Sequence, residues 1–124
     1  MPHVTLNILP DAEIAARLAR DLPHWRYADN HLVRLCTTTG WKSTLMVVNT
    51  IGHLAEAAWH HPDLSVSYAR VEIRLQSHDA GGITMRDLEL AEMIERVVFW
   101  QPARLGLTLE GTPQTKEAGY IVYD

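Results

Sequence analysis

The sequence has few of the features that mark secreted, disulfide-bonded or membrane-embedded proteins. It contains a single cysteine, Cys36, so no internal disulfide bond can form. No apolar run approaches the length needed to cross a bilayer, and the first four residues lack the charged and apolar zones of a signal peptide. These absences predict a cytoplasmic protein in which Cys36, within an apolar stretch, is a small buried side chain rather than a nucleophile.

A basic charge balance is also absent. Eleven Lys and Arg residues stand against fifteen Asp and Glu, which gives a formal net charge of -4. We therefore expect no direct binding to nucleic acid and none to an anionic membrane. The length of 124 residues and a hydrophobic content of 47% suit one domain with a modest core. No repeat, low-complexity tract or linker divides the chain.

Apolar spacing predicts three helices. The first covers residues 10–22, and a long second helix runs from about residue 41 to residue 59. The third begins after Thr84 as N-cap, with Asp87 in the acidic position of a capping box. One stripe of the long helix is predicted to face the core: Leu45, Val48, Gly52, Ala55 and Trp59.

The remaining core pattern predicts three strands. Two short strands, at residues 25–27 and 32–36, flank a turn at residues 28–30. Residues 66–76 alternate between apolar and polar side chains, as expected of one strand with a buried and a wet face. The order α-β-β-α-β-α predicts an α+β two-layer sandwich, with an antiparallel sheet and helices on one face.

The C-terminal segment forms a β-prone extension over residues 99–124. Leu105, Leu107 and Leu109 alternate, and residues 120–123 favour a strand. Two interpretations stay open here: a hairpin with a long loop, or a strand that pairs with another subunit.

Residues 56–87 concentrate the titratable side chains of interest. Three of the seven histidines lie here, His60, His61 and His78, together with the carboxylates of Glu56 and Asp87. Imidazole titrates nearest to neutral pH, so such a cluster is a candidate for proton transfer on a small polar substrate. Glu56 and His60 are four residues apart and share one face of the long helix near its C-terminal end.

Three interpretations of this cluster compete on the residues alone. The histidines can cap the helix and form local hydrogen bonds. His53, Glu56 and His60, at i, i+3 and i+7, can converge on a cation, although the tight His-Glu-x-x-His pattern and cysteine ligands are missing. The third interpretation is general acid-base catalysis without a cofactor, in which several titratable groups serve one substrate.

The run Glu56-Ala-Ala-Trp-His60-His61-Pro62, followed by Tyr68, His78 and Asp87, resembles the signature of the pterin-4a-carbinolamine dehydratases, also called 4a-hydroxytetrahydrobiopterin dehydratases. The loop at residues 77–84 is similar to the family's Thr-His-x-x-x-Gly-Leu-Thr segment, with Ser77 in place of threonine. The likeness covers about residues 9–98, and the predicted order of helices and strands also matches the family fold.

Membership in this family would make the chain a hydro-lyase that converts a 4a-hydroxytetrahydropterin into a quinonoid dihydropterin in pterin recycling. The resemblance implies no metal and no organic cofactor. It implies His60 and His78 as acids, His61 as the group that holds and polarises the pterin, and Glu56 as an acceptor or relay of the proton. It adds to His61 three further substrate-binding or pocket-shaping residues: Pro62, Ser77 and Asp87. Asp87 would hold the His78 loop or serve only as a helix-start carboxylate.

Departures from the family pattern keep an alternative open. Leu64 stands where many members carry an aromatic residue, residues 36–42 lack the usual phenylalanine-rich pattern, and residues 99–124 extend beyond the usual family end. The alternative is a non-catalytic binding protein, either an assembly factor for a carbon-fixing carboxylase (RuBisCO) or a transcription coactivator. For the enzyme and for the binding protein alike, the resemblance implies a homodimer or homotetramer.

Overall fold

The computed structural model describes residues 7–124. This part contains three α-helices and a 3-10 helix: α1 (Asp11–Asp21), α2 (Trp41–Ala58), α3 (Met85–Val98) and the 3-10 helix Pro102–Leu105. It also contains five strands: β1 (Arg26–Ala28), β2 (His31–Thr38), β3 (Asp63–Ser67), β4 (Arg70–Leu75) and β5 (Ile121–Val122). None of the helices in this part is long and apolar enough to cross a membrane. The expectation that residues 1–4 are not a signal peptide concerns residues outside the described part.

All strand pairs in the sheet are antiparallel. The strand order is β1-β2-β4-β3, and β5 pairs with the free end of β2 on the edge that β1 leaves open. Side chains alternate along β4, so that Val71, Ile73 and Leu75 are fully buried against the helices. Cys36 on β2 is buried in the same core, as predicted, and burial raises the pKa of its thiol to about 11. The predicted α+β class, with helices on one face of an antiparallel sheet, is confirmed.

One predicted strand is in fact two. The prediction of a single strand over residues 66–76 was wrong because the chain reverses at Tyr68 and Ala69, between β3 and β4. Neither residue has a positive φ. The turn therefore required none of the Gly, Asn or Asp residues by which such turns are recognised. The turn between β1 and β2 does have positive φ, at Asp29 and Asn30, and it was predicted.

The buried stripe of α2 is also rotated by about one residue from its prediction. Its buried residues are Thr44, Val47, Ile51 and Ala55, whereas Leu45 and Trp59 are exposed. Thr44 takes a core position because its hydroxyl donates to the Tyr68 carbonyl over 2.9 Å and lies 2.7 Å from Thr38 Oγ1. A polar residue with satisfied hydrogen bonds thus displaces the apolar stripe that spacing alone predicts.

The C-terminal extension does not form the expected hairpin, and the alternative of a strand that pairs with another subunit stays a prediction. Residues 105–109 contain no strand, so there is no hairpin, and β5 pairs with β2 of the same chain through Thr37 and Thr38. This pairing is available because β1 covers only the first residues of β2. Ile121 is 1% exposed and extends the core.

A buried arginine fastens this extension to the sheet. The Arg34 guanidinium donates to Glu95 over 2.7 Å and to both carboxylate oxygens of Asp124 over 2.7 and 3.0 Å, and it lies 3.9 Å from the centre of the Phe99 ring. The hydrogen bonds from Arg34 hold the pKa of the Asp124 carboxyl below its ordinary value of 3.8. Asp124 itself is half-exposed, so solvent screens part of this interaction.

Asp124→Asn should therefore lower the free energy of unfolding at neutral pH by up to about 1 kcal/mol. Because the folded-state pKa is depressed, the ionised carboxylate stabilises the fold above the ordinary pKa, and this contribution disappears as the pH falls through the folded-state value. The free energies of unfolding of the two proteins, measured in urea, should thus converge below about pH 4. A difference that stays constant down to acid pH would contradict this account.

Candidate active site

The C-terminal end of α2 turns the two adjacent histidines into different environments. Trp59 has a left-handed conformation (φ 52°), and its N–H donates to the Glu56 carbonyl over 3.3 Å. The N–H of His60 reaches back to the Ala55 carbonyl over 3.1 Å, which closes the helix in the manner of a Schellman motif. The reversal leaves the His60 side chain 13% exposed and the His61 side chain 49% exposed. Pro62 follows and leads into β3.

His60 is held by a buried carboxylate on another helix. Its Nε2 lies 2.6 Å from Oδ1 of Asp87, which is fully buried in the first turn of α3. Oδ2 of Asp87 accepts the Ser77 hydroxyl over 2.8 Å and the Thr84 N–H over 2.9 Å. Because Oδ2 of Asp87 already accepts two hydrogen bonds, we assign the proton of the contact at Oδ1 to Nε2 of His60, and Nδ1 is then the nitrogen available for exchange.

The same network fixes the loop that carries His78. The hydroxyls of Ser77 and Thr84 lie 2.7 Å apart, and the Ser77 N–H donates to the Gly82 carbonyl over 3.0 Å. The capping box predicted from Thr84 and Asp87 is present at the start of α3. A Cβ at Gly82 would lie 2.9 Å from the side chain of Ile8, which would have to shift. His78 projects from this closed loop with 62% of its side chain exposed.

His61 forms a second histidine-carboxylate pair on the surface. Its Nε2 lies 2.8 Å from Oε1 of Glu56, and the Trp59 ring approaches edge-on with centroids 4.9 Å apart. Glu56 is well exposed, so this pair is accessible to a solute.

The His78 loop lies beside the segment that follows His61. Nε2 of His78 is 3.8 Å from Oδ2 of Asp63, the first residue of β3, and its ring centre is 6.4 Å from that of His31. Asp63 and His31 did not emerge from the sequence analysis. Asp63 could have been found from the sequence, because it directly follows Pro62. His31 could not, because only the tertiary structure brings it close to His78.

The seven residues named from the sequence therefore occupy three adjacent segments: the end of α2, the loop before α3 and the first turn of α3. Tyr68 of the resemblance signature does not join them. Its ring lies against Gly40, at the opposite end of a helix about 27 Å long.

The His53, Glu56 and His60 side chains do not converge as a metal site would require. Glu56 pairs with His61, and His60 turns towards Asp87. Across residues 7–124, no three His, Cys, Asp or Glu side chains are placed to hold a metal ion. The arrangement offers instead three imidazoles, each facing one carboxylate, which is suited to proton transfer.

Comparison with known proteins adds to this geometry. The sequence model of the pterin 4 alpha carbinolamine dehydratase family matches residues 7–97. The chain belongs to the pterin-4a-carbinolamine dehydratase family. The match ends one residue before the end of α3, so the extension lies outside it.

Individual relatives agree with this family assignment. A predicted pterin-4-alpha-carbinolamine dehydratase of Aquifex aeolicus is 43% identical over 90 residues, which cover 73% of this chain and 90% of the relative. A protein of the same name from Haloarcula marismortui is 38% identical over 91 residues, 73% of this chain and 96% of the relative. The crystal structure of a transcriptional coactivator/pterin dehydratase from Brucella melitensis superposes with a TM-score of 0.67 at 25% identity, covering 72% of this chain and 96% of that one.

Asp87→Ala should destabilise this member of the family by about 3 kcal/mol, because it leaves several buried donors without an acceptor. Asp79→Ala is the matched control, since Asp79 is exposed and lies 3.8 Å from Arg86. Chemical denaturation measures both. If Asp87→Ala lowered the free energy of unfolding no more than Asp79→Ala does, the result would contradict this hydrogen-bond network.

Proposed function

We propose that the chain dehydrates a 4a-hydroxytetrahydropterin to a quinonoid dihydropterin, and that it serves pterin recycling in the cytoplasm. The observation that best supports this proposal is the pairing of His60 with Asp87, which also holds Ser77 next to His78. Through Asp87, the end of α2 that carries His60 and the loop that carries His78 lie next to one region of the surface. Membership in the family supports a pterin as the substrate class.

The reaction requires two proton transfers on one ring system. The C4a–O bond breaks, and the hydroxyl leaves as water after it receives a proton. The N5–H bond is broken by a base, and its electrons form the N5=C4a double bond. Neither step changes the oxidation state of the molecule through an external reductant or oxidant, so positioned acids and bases are sufficient.

In this proposal His60 and His78 act as the acids. His60 is nearly buried and its Nε2 is fixed by Asp87, so the proton that it donates as an acid is the one that Nδ1 carries in the doubly protonated ring. His78 is exposed on a loop that the Ser77 hydrogen bonds restrain, so it can approach the ring from the other segment. The two histidines would thus differ in mobility and serve opposite parts of the pterin.

The surface pair of His61 and Glu56 would bind the pterin and handle the second proton. His61 holds and polarises the ring, and Glu56, 2.8 Å away, accepts or relays the proton from N5. Pro62 sets the direction of the chain between this pair and β3. Ser77 and Asp87 position His60 and the His78 loop and do not touch the reacting atoms.

A second candidate function is a non-catalytic binding role, as a carboxylase assembly factor or a transcription coactivator. One observation favours a binding surface: Trp41, Leu45 and Met46 of α2 are all between 40% and 49% exposed. Apolar side chains exposed together on one helix are typical of a protein interface. The same surface supports the proposal of a homodimer or homotetramer.

A stopped-flow assay of carbinolamine decay tests the catalytic proposal. The protein should accelerate the decay, and combined His60→Ala and His78→Ala substitution should remove roughly the 10²–10⁴-fold that acid-base catalysis contributes. His53→Ala is the control, because His53 is an exposed histidine on α2 with no role in the proposal. Full acceleration by the double variant would refute the mechanism, and no acceleration by the unmodified protein would favour the binding role.

His61→Ala should lower the dehydration rate at least about tenfold while the free energy of unfolding changes little, since the side chain is exposed. Steady-state kinetics and denaturation on the same preparation separate the two effects. An unchanged rate would remove His61 from the mechanism.

A further inference from the structure

A cavity of about 610 Å³ opens at the C-terminal end of α3, well away from the histidine cluster. Its walls come from α3, the 3-10 helix and the last residues of the extension. Asp87 belongs to the histidine cluster and Trp100 lines the cavity. The two residues are thirteen positions apart, which corresponds to about 20 Å along a helix axis. None of the residues assigned to the dehydratase site lines this cavity.

The cavity wall is positive although the chain as a whole is negative. Three arginines line it, Arg34, Arg96 and Arg104, against the two carboxylates of Glu95 and Asp124. Both carboxylates are already engaged by Arg34. Arg96 and Arg104 form no hydrogen bond or ion pair through their side chains with any residue of the described part, 7–124. Two guanidinium groups are therefore available to an anion.

Flat aromatic side chains complete the wall. Trp100 is 46% exposed, and Tyr123 is half-buried beside Asp124. Phe99 is less available, because the Arg34 guanidinium covers its ring. An accessible indole and a phenol beside free cations favour a ligand with one negative end and one flat apolar end.

We propose that this cavity binds a small organic carboxylate with a flat apolar body. Arg96 and Arg104 hold the carboxylate, and Trp100 and Tyr123 contact the body. The volume falls within the range of about 300–1,000 Å³ that is usual for small-molecule sites. A monoanion fits better than a phosphate dianion, because the three arginines and two carboxylates of the wall leave one net positive charge among them. Most of this wall lies beyond residue 97, outside the family match, so the proposal does not rest on the dehydratase function.

Nuclear magnetic resonance titration with 3-phenylpropionate tests the proposal directly. The Trp100 indole N–H signal should shift and saturate with a Kd of about 1 mM or lower. The neutral isostere 3-phenylpropionamide should bind at least about tenfold more weakly, because it cannot form charge-assisted hydrogen bonds. A Trp100 signal that does not saturate, or equal binding of the amide, would overturn the proposal. Inorganic phosphate binding as tightly as 3-phenylpropionate would overturn it too.

Variants identify the groups that bind the carboxylate. Arg96→Gln and Arg104→Gln should each weaken 3-phenylpropionate binding at least about fivefold. Arg70→Gln is the matched control: Arg70 is exposed on β4, outside the cavity, and the change of charge is the same. It should leave the affinity unchanged. An equal loss for Arg70→Gln would indicate a general charge effect and overturn the assignment, as would full affinity in both cavity variants.

Discussion

The Asp87 carboxylate is the group on which the rest of the candidate site depends. It is fully buried, and its two oxygens meet His60, the Ser77 hydroxyl and the Thr84 N–H. One side chain thereby caps α3, closes the loop that carries His78 and orients an imidazole from the end of α2. A buried carboxylate without these partners would be costly, so each of the three elements stabilises the position of the other two.

In this arrangement the three histidines differ in the exposed fraction of their side chains. His60 is 13% exposed and firmly held, His61 is 49% exposed beside a surface carboxylate, and His78 is 62% exposed with its nearest carboxylate 3.8 Å away. A site that must hold a flat ring and exchange two protons benefits from one rigid group and others free to adjust. The left-handed Trp59 makes this difference possible, because it separates the directions of adjacent residues at a cost of roughly 1–2 kcal/mol.

Local signals predicted much of this structure, and tertiary contacts account for what was missed. The spacing of Thr84 and Asp87 predicted the capping box, whereas a holding role for Asp87 on the His78 loop came only from the family resemblance, beside the alternative of a helix-start carboxylate. The hydrogen bond between His60 and Asp87 joins residues 27 positions apart, and the spacing of apolar and polar residues gives no sign of it. The turn at Tyr68 lacked turn residues, and Thr44 occupies the core through hydrogen bonds that spacing does not reveal. The β5 strand depends on an edge that only the short length of β1 leaves free.

The most direct test of the account concerns the proton between His60 and Asp87. Imidazole ¹⁵N chemical shifts of His60, measured in the absence of substrate, report which ring nitrogen is protonated. The account predicts a proton on Nε2 that exchanges slowly with solvent and loses this protection in Asp87→Asn. A His60 ring with an unprotonated Nε2, or exchange as fast as that of the exposed His53, would contradict the claim that Asp87 organises the site.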